Sequence, residues 1–155
     1  MSVFGRRQFW RIAGPAVLML VTLAGDADAA SPKQFSDFPA PEMLEGKAAP
    51  FAAETAPEQW AAVRDIEKEI IQEEMAKGPN FAGAYYLATV GCGTACEAIF
   101  VIDLRDGRVF AAPESASNGV LFQKDSRLII IKEDKFYDRS RIYLEFDKGK
   151  FGEIR

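Results

Sequence analysis

Histidine is absent from all 155 positions of this chain. With it goes the side chain that ordinarily serves as a general base near neutral pH, activates hydroxyl and thiol nucleophiles, and ligates transition metals. Ser–His–Asp and Cys–His arrangements are therefore excluded. Cysteine is scarce: Cys92 and Cys96 are the only two. Two sulfurs without an imidazole fall short of the ligand set of a closed zinc site. The glycines at Gly91 and Gly93 are not followed by Gly-Lys-Ser/Thr, so no phosphate loop is present. Asp134 with Asp138, or Asp103 with Asp106, supplies too few acids for a calcium loop. The composition implies no cofactor and no resident metal.

An excess of positive charge is also lacking. Lys and Arg number 19 against 23 Asp and Glu, a net charge of −4. Nucleic-acid binding rests on Lys and Arg neutralising phosphates, so this balance argues against it, and against docking to an anionic membrane. Apolar runs long enough to span a bilayer are missing as well. The longest is Ile12 to Gly25, about 14 residues where roughly 20 are needed.

That run has a different reading. Arg6, Arg7 and Arg11 precede it and Ala27-Asp28-Ala29 follows as a small-x-small cleavage signal. Residues 1–29 are thus expected to be a signal peptide. Gly5-Arg6-Arg7-Gln8-Phe9 is also compatible with the twin-arginine route, so both export routes stay open. Leu23-Ala24-Gly25 resembles a lipoprotein box, but Asp26 stands where the lipid-bearing cysteine would be, so no membrane anchor is expected after cleavage. The leader carries three positive and two negative charges, so the mature chain would carry −5. The expected location is periplasmic or secreted. In such surroundings nearby cysteines pair, and Cys92 and Cys96 are expected to form a disulfide. An extended chain would hold their Cα atoms too far apart, so the segment must turn back, with Gly91 and Gly93 supplying the freedom. A reduced metal pair is the alternative.

What remains reads as an arm at 30–55 and one domain at 56–155. Pro32, Pro39, Pro41 and Pro50 disfavour helix and sheet, giving an extended arm that Phe35, Phe38 and Phe51 would pin to the surface; disorder is the alternative. A helix follows. Thr55 and Glu58 have the capping-box form, Pro57 suits a first turn, and Gly78-Pro79 ends it. Trp60, Val63, Ile66 and Ile70 lie at helical spacing and are expected to face the core.

From Asn80 the pattern changes to strands: Phe81–Val90, Ala98–Leu104, Arg108–Ala111, Val120–Gln123, Arg127–Lys132, Arg141–Phe146 and Phe151–Ile154. Asp106-Gly107 marks a hairpin. Ile129-Ile130-Ile131 is apolar at each position, as in a central strand buried on both faces. The expected fold class is α+β: an antiparallel meander of about six to seven short strands with one amphipathic helix on one face. Glu97 and Asp103 share a sheet face by the period of two, the only acids placed to suggest carboxylate chemistry.

Two stretches stand out: Gly78-Pro79-Asn80-Phe81-Ala82-Gly83-Ala84-Tyr85-Tyr86 and Gly91-Cys92-Gly93-Thr94-Ala95-Cys96. On these the chain resembles a family of small, exported, uncharacterised bacterial proteins with Gly-Pro-Asn-Phe-Ala-Gly-x-Tyr and Gly-Cys-Gly-Thr-x-Cys stretches. The likeness covers about residues 60–150, and its members often have histidine where this chain has Ala84. The resemblance implies a secreted α+β domain and supplies no catalytic residue. The leading functional expectation is a non-catalytic binding or interaction module. Its surface would include Asn80, Tyr85, Tyr86 and Thr94, directed at a protein or small molecule of the cell envelope. The alternatives are an envelope enzyme working through carboxylates or an Asp/Glu-bound metal, and an inhibitor of an extracellular hydrolase.

Overall fold

The computed structural model describes residues 32–132 and 141–154. The expected leader and cleavage motif, and Asp134 and Asp138, lie outside the described residues. Among the described residues seven strands form two antiparallel sheets. The first contains β1 (Tyr85–Gly93), β2 (Cys96–Asp103) and β3 (Val109–Ala111) in that order. The second contains β4 (Val120–Phe122), β5 (Leu128–Lys132), β6 (Arg141–Asp147) and β7 (Lys150–Ile154), also in order. Two helices, α1 (Glu58–Ala61) and α2 (Asp65–Met75), precede them. Among the described residues no helix is long and apolar enough to cross a membrane.

The chain is α+β and antiparallel, but a single-sheet meander is not what forms. The split falls after β3. Ala112 still donates its N–H to Ile99, but Pro113 has no N–H to extend the ladder. Ala116 rejoins β2 at Glu97 through a two-way bridge, N···O 2.8 and 2.9 Å. Gly119, at φ 93°, then turns the chain toward β5, where its carbonyl accepts the Lys132 N–H. A polar loop thus carries the chain from one sheet to the next without pairing β3 to β4.

Alternation along the strands makes three layers. Leu87, Ile99 and Val101 point from the first sheet into a cluster shared with Ile129, Ile131, Leu144 and Phe146 of the second. Ala88, Val90, Phe100 and Ile102 point the other way, onto Trp60, Val63, Ile71 and Met75 of the helical layer. Each fully buried side chain of this size contributes roughly 1.5–3 kcal/mol, so these clusters outweigh the polar contacts between layers. Ile129, Ile130 and Ile131 are all buried on an inner strand, as their unbroken apolarity predicts.

The expected single helix is two. Arg64 is extended, at φ −65° and ψ 148°, and separates α1 from α2. Glu67 accepts the Arg64 N–H at 3.2 Å and holds the new helix start. The break resets the helical phase. Trp60 and Val63 are buried as expected, but Ile66 and Ile70 are 56% and 53% exposed, and Ile71 and Met75 take the core positions. At the other end, Pro57 is the N-cap of α1, and Thr55 belongs to a separate 3₁₀ turn, its hydroxyl bonded to the Ala52 carbonyl at 3.1 Å. The first expected strand also starts late. Phe81 to Ala84 is a tight turn, with Ala82 at φ 43° and Gly83 at φ 77°, closed by a Phe81–Tyr85 bridge.

Residues 32–52 are strapped across the domain by backbone hydrogen bonds. Phe38 accepts from Arg127 (2.8 Å), Ala40 donates to Asp125 (2.8 Å), Leu44 to Gly83 (2.9 Å), Ala49 to Leu104 (2.8 Å) and Ala52 to Gly107 (2.9 Å). The buried Ser126 hydroxyl lies 2.8 Å from the Phe35 carbonyl and 2.9 Å from that of Phe38. Phe51 meets Trp60 edge-on at 5.1 Å. Gly83 and Gly107 must be glycine where the strap crosses, since a Cβ would collide with the carbonyls of Glu42 and Pro50.

Candidate functional site

β1 and β2 pair in unbroken register from Tyr85–Asp103 to Gly91–Glu97, then shift so that Gly93 faces Cys96. The extra residue is Cys92, on a bulge. It forms the disulfide to Cys96 across a Cα separation of 5.1 Å, as the spacing and the glycines predict. The turn beyond is formed by Thr94 and Ala95, with Gly93 at φ 140° and Ala95 at φ 51°. Every residue from Gly91 to Ala95 is exposed. A covalently closed hairpin end therefore projects from the first sheet.

At the base of this end lies a groove of about 350 Å³. Its floor is apolar, from Val63, Val90, Ala98 and Phe100, and Cys92 borders it. The break between α1 and α2 forms the opposite wall with Ala62 and Arg64. Arg64 reaches the Glu67 carboxylate at 2.7 Å on the rim. That bond lowers the carboxyl of Glu67 and raises the guanidinium of Arg64, so the rim pair stays charged over a wide pH range. The helix break that exposes Ile66 and Ile70 thus also forms one wall of the groove.

A second polar cluster sits at the opposite end of β1 and β2. Asp103 is only 2% exposed, and a buried carboxylate must be paired. Its Oδ1 accepts from the backbone N–H of Arg105 (2.9 Å) and from Nε (2.8 Å), and its Oδ2 accepts from Nη2 (2.7 Å). The same Nη2 donates to the Tyr85 hydroxyl at 2.6 Å. Burial, and then the Asp103 charge, push the Tyr85 hydroxyl up; the bond to Asp103 raises the Arg105 guanidinium. Asp103 also organises the β2–β3 turn, since its carbonyl accepts the Gly107 N–H at 2.8 Å. Over this cluster lies a cleft of about 170 Å³ lined by Glu42, Ala84, Tyr85, Arg105, Arg127 and Lys148, among others. Two of its charged side chains are paired at its edge: Arg127 is held by Glu145 (2.6 Å) and Asp147 (3.4 Å).

Glu97 and Asp103 share a face, yet six residues of strand, ~20 Å, separate them. Both oxygens of Asp103 are occupied by Arg105, which leaves no paired carboxylate center here. Among the described residues no group of three or more acids or sulfurs is placed to hold a metal.

The four residues expected to form one surface do not share one: Asn80, Tyr85 and Tyr86 meet at the start of β1, where the Asn80 N–H donates to the Tyr85 carbonyl at 3.2 Å, and Thr94 lies beyond its far end. Thr94 is exposed at the hairpin end. Tyr85 is buried against Phe146, ring centroids 5.0 Å apart, on the face shared with the second sheet. Tyr86 is half-buried on the opposite, helix-facing side. Asn80 spends its side chain on the backbone of Leu87, accepting its N–H at 2.7 Å and donating to its carbonyl at 3.0 Å. Arg64 and Arg105 escape the sequence reading: a charged residue in a helix or turn looks like solvated surface, and only a recognised break at Arg64 would have flagged the groove. Comparison of the chain with family models, with curated proteins and with solved structures returned no match.

Proposed function

We propose that the protein is an exported, non-catalytic binding module whose partner engages the closed hairpin end and the groove at its base. The observation that carries this reading is the run of exposed residues from Gly91 to Ala95, fixed by a disulfide and opening onto an apolar groove with a charged rim. A loop already held in one shape loses little entropy on binding, so its contacts go further toward affinity. An apolar floor under a polar rim is the usual anatomy of a recognition surface. Of the four residues first expected to meet a partner, Thr94 retains that role; Asn80 and Tyr85 act inside the domain. The disulfide fits the oxidising surroundings to which the expected leader would deliver the chain.

The test is capture from an envelope extract of the native host, with the purified protein immobilised. Thr94→Arg at the hairpin end and Ala62→Trp in the groove should each abolish retention of the partner. Ile66→Ser, on the exposed side of α2, should leave it intact. Equal capture by all three variants overturns the reading.

A further inference from the structure

The Cys92–Cys96 bond closes a turn that is poorly suited to close by itself. The second of its two loop residues, Ala95, sits at φ 51°, where residues with a Cβ are disfavoured and glycine or asparagine is the usual choice. A positive φ at this position alone is not the turn that matches the twist of paired strands. The loop enclosed by the bond is short, with sequence separation 4, so cross-linking restricts the unfolded chain less than a long loop would. Neither sulfur belongs to either core cluster. The hairpin is secured below the bond without it: Glu97 pairs with Gly91 on one side and is bridged to Ala116 on the other. Opening the bond therefore releases a strained turn and disturbs only residues 92–96. Cys92 is exposed and borders the groove, whereas Cys96 is half-buried.

We propose that Cys92–Cys96 is a thiol–disulfide exchange site, with Cys92 as the sulfur that is attacked. A thiolate of an incoming dithiol attacks Cys92 Sγ, forming a mixed disulfide and breaking the bond to Cys96. Cys96 leaves as a thiolate and takes up a proton. The second thiol of the dithiol, once deprotonated, attacks its own partner sulfur in the mixed disulfide and expels Cys92 as a thiolate, which is protonated in turn. The dithiol is oxidised to a disulfide by two electrons and the protein gains two thiols. Two successive monothiols such as glutathione serve equally. This stands apart from the partner-binding reading, since it needs no ligand in the groove.

The purified protein is equilibrated in glutathione buffers of graded composition, and the open fraction is counted by alkylation and mass spectrometry. Structural disulfides of exported proteins resist the glutathione pool. This one is expected to open substantially when reduced glutathione is in excess and to close again when oxidised glutathione is added. The near-ultraviolet circular dichroism of the Trp60 and Phe146 clusters should stay unchanged throughout. Ala95→Gly relieves the closed turn and should require about threefold to tenfold more reductant for half-opening, after the greater chain freedom of glycine is allowed for. Cys96→Ser should accumulate a mixed disulfide with glutathione at Cys92 faster than Cys92→Ser does at Cys96. A bond that opens only in denaturant, loss of the core signal on opening, or an unmoved midpoint for Ala95→Gly overturns the proposal.

Discussion

Asp103 and Arg105 form a lopsided pair. The carboxylate is 2% exposed while the side chain of its partner is 45% exposed. Removing the arginine leaves a charge buried; removing the acid leaves one that can turn to water. Arg105→Ala should therefore destabilise the domain by about 2–4 kcal/mol, somewhat less than full orphaning of a buried ion, because Arg108 Nη2 remains 4.0 Å from Oδ2. Asp103→Asn should cost less. The double variant should recover part of the loss, because the neutral amide no longer needs the guanidinium. Urea unfolding of the three proteins decides it; a double variant whose loss is the simple sum shows that the two side chains are not coupled. Asp103 illustrates why a buried acid is not by itself a reactive one. That it shares a strand face with Glu97 was legible, but its burial was not, and its partner, two residues on in a turn, was not singled out by any periodicity.

The helical segment shows where reading by element succeeds and where it stops. The strand spans, the Asp106-Gly107 hairpin and the end of the helix before Gly78-Pro79 all follow from local chemistry, and the structure places them within a few residues of expectation. The break at Arg64 has no proline or glycine to announce it, and Trp60, Val63, Ile66 and Ile70 fit one continuous helix. The signals that were present are weaker: Asp65 and Glu67 put acids in a new first turn. Val63, Ile71 and Met75 are spaced by eight and by four residues, an alternative stripe that tertiary packing selects. The corrected phase makes a sharp forecast. Ile71→Ala and Met75→Ala should each cost about 2–5 kcal/mol. Ile66→Glu and Ile70→Glu should stay within about 0.5 kcal/mol of the parent. Thermal or urea unfolding that ranks Ile66 with Met75 would mean α2 presents its other face to the sheet.

Across the whole molecule, the two-sheet split and the docking points of the strap are the features that sequence patterning did not reveal, because both depend on partners far away in the chain. Alternation along a strand says that one face is buried, not which element buries it. The strap's polar groups find their partners only in the folded domain: Ser126 reaches back to Phe35 across a separation of 91 residues. Ser126→Ala removes that anchor, and leaves the Leu128 N–H without the hydroxyl that accepts it at 3.2 Å. A loss of about 1–2 kcal/mol is expected. Limited proteolysis should then cut first within residues 32–52; a cleavage pattern identical to the parent's would show that the strap is held without the serine. The order in which the ribosome releases the chain gives this strap a further property. Residues 35–44 emerge first, yet their docking points at Gly83, Asp125, Ser126 and Arg127 emerge roughly 40 to 90 residues later. The earliest-made segment of the domain must therefore wait for partners made much later, and a nascent chain interrupted anywhere before Arg127 has no complete seat for its own beginning.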